Sequence, residues 1–274
     1  MIAATAADRA GIEAFLEPQA EFAMFPLNNL RSHGMAGGHP HAVTMWLTRR
    51  DGQITDVLTR TESGMVMPFL PSGDYAAAAL VLRGAEVAGI VGVKEWSRGL
   101  EGALALKGPR SLDHDEPHFL LECDTLRVPD GPGRIVPLAE APVQLIKDWM
   151  LDYQLVTLGT PAGRANQYVE DSYARYVAAA SHVALIEGDI PLAMTGFNAQ
   201  IPGMVQVGGV YTPPLLRGRG FARRALALHL VASGAFRATL FSASDMAARA
   251  YRAIGFRQIG DWTLMLMSEK ERVG

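Results

Sequence analysis

The chain has 274 residues, of which 49% are hydrophobic and 19% are charged, and its formal net charge is −3. This composition is typical of a folded protein with one large or two moderate domains and not of a disordered chain, and the net charge gives little support for nucleic-acid binding. No apolar run approaches the roughly 18 residues of a membrane span, and residues 1–10 lack the apolar segment of a secretion signal. We therefore expect a cytoplasmic protein with no nucleic-acid or membrane partner.

Cysteine and histidine give no metal or disulfide signal. The only cysteine, Cys123, excludes an internal disulfide and a cysteine-based metal cage, and its strand-like neighbours predict a buried structural role. His33, His39 and His41 lie close together in the sequence, but nothing else supplies ligands at a zinc spacing. We therefore predict no metal site and interpret these histidines as loop residues that could face a substrate.

The first half of the chain predicts helices followed by strands and helices in alternation. Residues 9–34 are mostly helical in pattern, and we expect Pro18 and Pro26 to break them into shorter helices. The remaining predictions are strands at 43–47, 54–58 and 64–70, a helix at 74–83, a strand at 87–93, a helix at 96–106 and a strand at 118–126. Between the last two, Asp113 to Asp115 is predicted to be a polar loop.

Residues 128–134 form the densest cluster of proline and glycine and predict a domain boundary. We divide the chain there into a module of residues 1–130 and a module of residues 131–274. Beyond the cluster the pattern predicts helices at 142–153 and 164–180, strands at 183–187, 190–198 and 204–211, a helix at 221–236, a short strand, and a helix at 244–253. The order of elements thus repeats across the boundary, which indicates two tandem α/β modules.

The most informative segment is Arg217 to Ala222, which lies between a predicted strand and a predicted helix. The helix has apolar residues at 221, 225, 228 and 232, which is helical spacing on one face. The first amides of a helix have no internal partner and lie at the positive end of its dipole, so they attract anions. Because Gly218 and Gly220 have no side chains, a diphosphate could approach the backbone closely. The segment therefore predicts a phosphate-binding turn.

This segment resembles the cofactor motif of the GNAT superfamily, the acyl-CoA-dependent N-acyltransferases. Arg217, Gly220 and Ala222 occupy the three positions of the family pattern, which is Gln or Arg, two residues, Gly, one residue, and Gly or Ala. A second family block follows at the expected distance, with Tyr251 five residues before Phe256. Together the two blocks cover about residues 183–267. The usual asparagine at the start of the second block is replaced by Ser244, which can also cap a helix.

The resemblance implies two GNAT-like modules, each a mixed and mainly antiparallel sheet flanked by helices, with acetyl-CoA bound by the second. It implies that the strand before the turn separates from its neighbour and that a backbone amide near Val210 stabilises the oxyanion. It also implies that Tyr251 protonates the departing sulfur. The alternative explanation for this tyrosine is burial on an apolar helix face. The residues expected to bind the cofactor are Val210, Tyr211, Thr212, Arg217, Gly218, Arg219, Gly220, Phe221, Ala222 and Ser244.

The sequence does not identify a general base. Many family members carry a glutamate on a central strand, whereas this chain has Asn198, Gln200 and Gln206, which cannot accept a proton at neutral pH. Glu187 and Asp189 fit a solvated hairpin tip. Transfer through water and an amine that arrives deprotonated both stay open.

The first module has Ser72, Gly73 and Asp74 where the second has its arginine–glycine turn. An acid without a cation would repel a diphosphate, so we expect one acetyl-CoA per chain, with the first module forming a wall of the acceptor pocket. The acceptor would be an amine of a small molecule, protein or peptide, and the chain a monomer or homodimer. Two alternatives stay open: an acyl-CoA-binding sensor or partner domain without catalysis, and an aminoacyl-tRNA-dependent transferase, which the net charge of −3 does not favour.

Overall fold

The computed structural model describes residues 1–274. It has twelve strands and eight α-helices. The strands are β1 (Ile2–Ala3), β2 (Val43–Arg50), β3 (Gln53–Thr61), β4 (Met65–Phe69), β5 (Glu86–Val93), β6 (Arg110–Glu122), β7 (Arg134–Pro137), β8 (His182–Glu187), β9 (Ile190–Ile201), β10 (Met204–Tyr211), β11 (Arg237–Phe241) and β12 (Arg257–Arg272). The helices are α1 (Arg9–Leu16), α2 (Ala20–His33), α3 (Tyr75–Val81), α4 (Lys94–Leu104), α5 (Val143–Asp152), α6 (Ala162–Ala178), α7 (Phe221–Ser233) and α8 (Asp245–Ala253). None of the helices is long and apolar enough to cross a membrane.

The chain folds into two compact units that do not follow chain order. Unit 1 comprises residues 1–116 and 260–274, and unit 2 comprises residues 117–259. Most of β12, the last strand, belongs to unit 1, whereas the second half of β6 belongs to unit 2. The division of the sequence into modules of residues 1–130 and 131–274 stays a prediction.

The sheet of unit 1 has the strand order β1-β2-β3-β4-β5-β12, followed by the first half of β6. Neighbouring strands from β1 to β4 are antiparallel, β4 and β5 are parallel, and β12 pairs with β5 in the antiparallel sense. A buried cluster contributed by β3, β4, β5, β12 and helices α3 and α4 forms part of the core. The expected break at Pro26 does not occur, because this buried proline lies within α2, where it removes a single backbone donor.

The sheet of unit 2 runs from the second half of β6 through β11-β10-β9-β8 to β7. All its pairs are antiparallel except β10 with β11. Helices α5 and α6 pack with Ala184 and Ile186 of β8, whereas α7 packs with Leu185 of the same strand. Since neighbouring side chains of a strand point to opposite faces, these helices cover opposite sides of the sheet.

The two halves share one order of elements, which confirms the predicted arrangement of two tandem α/β modules. Two helices precede three antiparallel strands, then follow a helix, a parallel strand, a helix and a last strand, first in α1 to β6 and again in α5 to β12. Each half therefore has a mixed, mainly antiparallel sheet flanked by helices.

One predicted loop was wrong, and one strand was not predicted. The segment Asp113 to Asp115 is not a loop, because β6 begins at Arg110 and includes it. Arg98 of α4 forms ion pairs with Asp113 (2.7 Å) and Asp115 (2.8 Å), so the acidic residues of this strand are neutralised by a neighbouring helix. Strand β7 was not predicted, since its four residues follow directly on the proline–glycine cluster.

Candidate functional site

The parallel strands β10 and β11 separate partway along their length. They pair only where Met204, Val205 and Gln206 lie beside residues 237–239, although β10 continues to Tyr211 and β11 to Phe241. Beyond Gln206 the edge of β10 that faces β11 is therefore not used in this pairing. A wedge between two parallel strands offers backbone donors and acceptors to an extended ligand.

Strand β10 has a bulge within this separated stretch. Its pairing with β9 shifts between Gly208, opposite Gly196, and Tyr211, opposite Met194. Gly209 and Val210 together oppose a single residue of β9, and Gly209 has φ +60°. A bulge re-aims the backbone groups of the strand locally. The expected oxyanion donor, the amide near Val210, thus lies in an irregular segment of the strand.

The arginine–glycine turn follows β10 and leads into α7 as predicted. Gly218 has φ +78°, and Gly220, the residue that precedes the helix, has φ +84°. Both values lie in the left-handed region that favours glycine. Phe221 is 4% exposed and packs with Leu185 and Ala225, which fixes the helix start against the sheet. No side chain caps the helix, so its first amides are available to an external anion.

The arginines of this turn form no ion pair with an acid of the chain. Arg217 donates from Nε to the carbonyl oxygen of Thr212 (3.0 Å), and Arg219 lies over the ring of Phe221 (4.8 Å). Arg224 donates to the carbonyl oxygens of Pro129 (2.7 Å), Pro132 (2.9 Å) and Gly133 (3.3 Å), so it fixes the loop before β7. Arg217 and Arg219 remain exposed cations beside the amides of α7.

Tyr251 lies on α8 and is 8% exposed. Its ring contacts those of Phe119 (6.4 Å) and Phe256 (6.1 Å), within a cluster that also packs against Val210. Ser244 caps this helix, since its side chain accepts a hydrogen bond from the amide of residue 247 (3.2 Å). Ser244 can therefore fix the start of the helix that carries Tyr251.

Tyr211, at the end of β10, is turned toward α5. Its hydroxyl donates to Asp152 Oδ2 (2.6 Å), and its ring contacts that of Trp149 (5.8 Å). Burial and the neighbouring carboxylate raise the pKa of Tyr211 to about 12. This phenol therefore stays protonated and has a structural role that the sequence did not indicate.

Two buried polar atoms border the separated stretch of β10 and lack a hydrogen-bond partner. Gln206 donates from Nε2 to the carbonyl oxygen of Val207 (2.6 Å), but its Oε1 has no partner. Thr212 Oγ1 is also buried and without a partner. Because buried polar atoms are rarely left unpaired, both are candidates to bind a ligand. The sequence does not indicate this role of Gln206, because the burial of its side chain depends on residues that are distant in the chain.

The structure gives no support for Glu187, Asp189 or Asn198 as the general base. Glu187 and Asp189 flank Gly188 in the exposed turn between β8 and β9, which confirms the hairpin tip. Asn198 is exposed, and its side chain lies where a Cβ atom of Gly208 would stand. As an amide it can donate and accept hydrogen bonds but cannot take a proton.

The corresponding turn of unit 1 is occupied by the chain's own carboxylates. Asp74 Oδ1 accepts from the amide of Ala77 (3.0 Å) at the start of α3, and Asp56 Oδ1 accepts from the amide of Ser72 (2.9 Å). These acceptors take the backbone donors that would otherwise face a phosphate group. Like the arginine–glycine turn of unit 2, this turn contains a glycine, but it has no arginines and its amides at Ser72 and Ala77 are already bonded.

The histidines and the cysteine outside this site show no metal-binding arrangement. The rings of His33 and His39 stack at 3.9 Å, and no group of histidine, cysteine, aspartate and glutamate side chains is arranged to hold a metal ion. Cys123 lies in a short helical turn and not within the strand as expected. Partial burial and the adjacent acids raise the pKa of its thiol to about 11, which favours the unreactive protonated form.

Comparisons with known proteins found similar folds among solved structures. No protein-family model and no curated protein matches the sequence. Solved structures with a similar fold include a GCN5-related N-acetyltransferase from Sphaerobacter thermophilus, with 15% identity and a TM-score of 0.57 over 99% of this chain and 95% of that one. A GCN5-related N-acetyltransferase from Kribbella flavida has 18% identity and a TM-score of 0.55 over 95% and 96% of the two chains.

A third structure matches the arrangement of both halves. It is a tandem GNAT protein from the clavulanic acid biosynthesis pathway, with 14% identity and a TM-score of 0.54 over 100% of this chain and 98% of that one. At these identities the likeness concerns the fold. The chain has the fold of the GNAT superfamily, as two tandem modules.

Proposed function

We propose that the protein is an acyl-CoA-dependent N-acyltransferase that uses acetyl-CoA and carries its active site in unit 2. The observation that supports this most directly is the sequence of features along β10. The strand separates from β11, bulges at Gly209, and leads into a turn with two left-handed glycines and exposed arginines at the start of α7. An extended ligand with a diphosphate at one end matches this order of features.

The chain would bind acetyl-CoA through groups that are available in the structure. The amides of Gly220 and of the first turn of α7, together with Arg217 and Arg219, would hold the diphosphate. The amide groups of the pantetheine arm would then lie along the unpaired edge of β10. There Gln206 Oε1 can accept a hydrogen bond, and the Thr212 hydroxyl can donate or accept one.

The chemistry requires a neutral amine that attacks the thioester carbonyl. A carbon–nitrogen bond forms, the carbon–sulfur bond breaks, and the amine proton leaves to water or to a base. The amide near Val210 would stabilise the oxyanion, a contribution that is typically several kcal/mol in enzymes. Tyr251 would donate its phenolic proton to the departing thiolate, so that CoA leaves as the thiol and the phenolate regains a proton from solvent.

The first test replaces a cation of the turn. Arg219→Glu would place a negative charge beside the diphosphate and remove a charge-assisted hydrogen bond, so we expect acetyl-CoA to bind roughly tenfold more weakly or worse. Calorimetry with acetyl-CoA measures this directly. The matched control is Arg50→Glu, at the exposed hairpin end of β2, which makes the same change of charge outside the site. Equal affinities for both variants and the native protein would remove the assignment of the turn.

A further inference from the structure

One buried histidine of unit 2 reaches the bulge of β10 from two strands away. His182 is the first residue of β8, lies opposite Gly196 of β9, and is 2% exposed. Its ring occupies the space that a Cβ atom of Gly196 would need. The ring therefore crosses β9 over this glycine, and its Nε2 lies 3.1 Å from the position that a Cβ atom of Gly209 would take.

The ring is held on two sides. Tyr176 of α6 stacks on it, with ring centroids 3.6 Å apart and planes 14° from parallel. Ser181 Oγ lies 2.9 Å from Nδ1, whereas Nε2 is buried and has no partner. The imidazole thus has a fixed position and orientation with one nitrogen directed at the bulge.

The hydrogen bonds around His182 indicate which ring nitrogen carries the proton. The Ser181 hydroxyl makes no other hydrogen bond, so donation to Nδ1 satisfies both groups and leaves only the Nε2 proton unpaired. The opposite tautomer would leave both the serine proton and Nε2 without partners. Burial lowers the pKa of His182 to about 3, which keeps the ring neutral. His182 therefore presents a buried N–H donor, and such a donor costs free energy unless an acceptor reaches it.

We propose that the Nε2–H group of His182 donates a hydrogen bond to the acyl carbonyl oxygen of the bound thioester, as a second donor beside the backbone amide near Val210. This rests on the proposed function. An acceptor for this N–H can arrive with the ligand at the bulge, and at the reactive end of an acyl thioester it is the acyl carbonyl oxygen, whose negative charge grows during attack. A neutral imidazole can perform this task, because in the tautomer described above its Nε2–H group is a hydrogen-bond donor.

The test compares acetyl-CoA with free CoA, which lacks the acyl carbonyl oxygen. In the native protein with ¹⁵N-labelled histidine, acetyl-CoA should shift the Nε2 resonance of His182 and slow the exchange of its proton, whereas CoA should do neither. In calorimetry, His182→Phe keeps a stacked ring but removes the donor, so it should weaken acetyl-CoA by roughly three- to tenfold relative to CoA. His229→Phe is the matched control, because His229 is also buried and stacked, on Phe197.

The outcomes separate this proposal from the one on which it rests. If acetyl-CoA and CoA both bind and give the same His182 resonance, the histidine proposal is wrong and the acyltransferase proposal stands. The same conclusion follows if His182→Phe weakens both ligands equally. If neither ligand binds the native protein, both proposals fail.

Discussion

The ring of Tyr251 packs within a buried cluster, and Ser244 caps the helix α8 that carries it. The function of its hydroxyl group can be tested by a substitution that keeps the ring. Tyr251→Phe removes only the hydroxyl group. If this phenol protonates the departing thiolate, turnover should fall by roughly 10²-fold or more while the affinity for acetyl-CoA stays nearly unchanged. Release of CoA with an amine identified from a library measures turnover. Calorimetry measures affinity.

The matched control for Tyr251 is Tyr168→Phe on α6, which removes the hydroxyl of a tyrosine that is 43% exposed. This variant should retain native turnover. Native turnover in Tyr251→Phe as well would assign that residue to the core alone, which is the interpretation that its burial would otherwise support.

The stacked arrangement of β8, β9 and α6 depends on the absence of a side chain at Gly196. Gly196→Ala would place a methyl group within the ring of His182, which Tyr176 holds from the other side. Because neither ring can move away freely, we expect the free energy of unfolding to fall by roughly 1–3 kcal/mol, as overpacking of a core usually costs. Urea unfolding followed by circular dichroism measures this loss.

Gly163→Ala is the matched control for this element, since a Cβ atom at Gly163 of α6 would meet nothing within 4 Å. Alanine favours a helix over glycine, so this variant should be as stable as the native protein or slightly more so. If Gly196→Ala were equally stable, the His182 ring would not be confined as the structure indicates.

The elements that the sequence predicted well are those whose signal is local. The turn at Gly218 and Gly220 and the helix after it could be predicted, because left-handed glycines and helical apolar spacing are properties of neighbouring residues. The pairing of β12 with β5 could not, because it joins strands that are far apart in the sequence. His182 was missed for the same reason: the space for its ring is provided by Gly196, which lies on another strand.

At the scale of the whole molecule, buried histidines should make stability depend on pH. Burial lowers the pKa of His182 to about 3 and that of His229 to about 4, against about 6.5 in an unfolded chain. Between these values the unfolded chain binds protons that the folded protein excludes. The free energy of unfolding should therefore fall as pH decreases from about 6.5 toward 4, by up to about 1.4 kcal/mol per pH unit for each histidine.

This dependence can be assigned by comparing slopes. His229→Phe removes one titrating group, so the stability of this variant should fall less steeply with decreasing pH than that of the native protein. Urea unfolding at intervals between pH 7 and pH 4.5 gives both slopes. Identical slopes would mean that His229 is accessible to protons in the folded state.

The two units should differ in their capacity for acetyl-CoA, although they share one order of elements. In unit 2 the turn before α7 has exposed arginines and uncapped amides, whereas in unit 1 Asp74 and Asp56 already accept from the amides of the corresponding turn. A diphosphate at the turn of unit 1 would have to displace these carboxylates and would meet no cation in exchange. We therefore expect calorimetry to give one acetyl-CoA per chain. Asp74→Ala should leave this stoichiometry unchanged, because freeing one amide supplies no positive charge. A native stoichiometry near two would contradict the prediction, and a second site that appears only in Asp74→Ala would show that this carboxylate alone keeps the ligand out of unit 1.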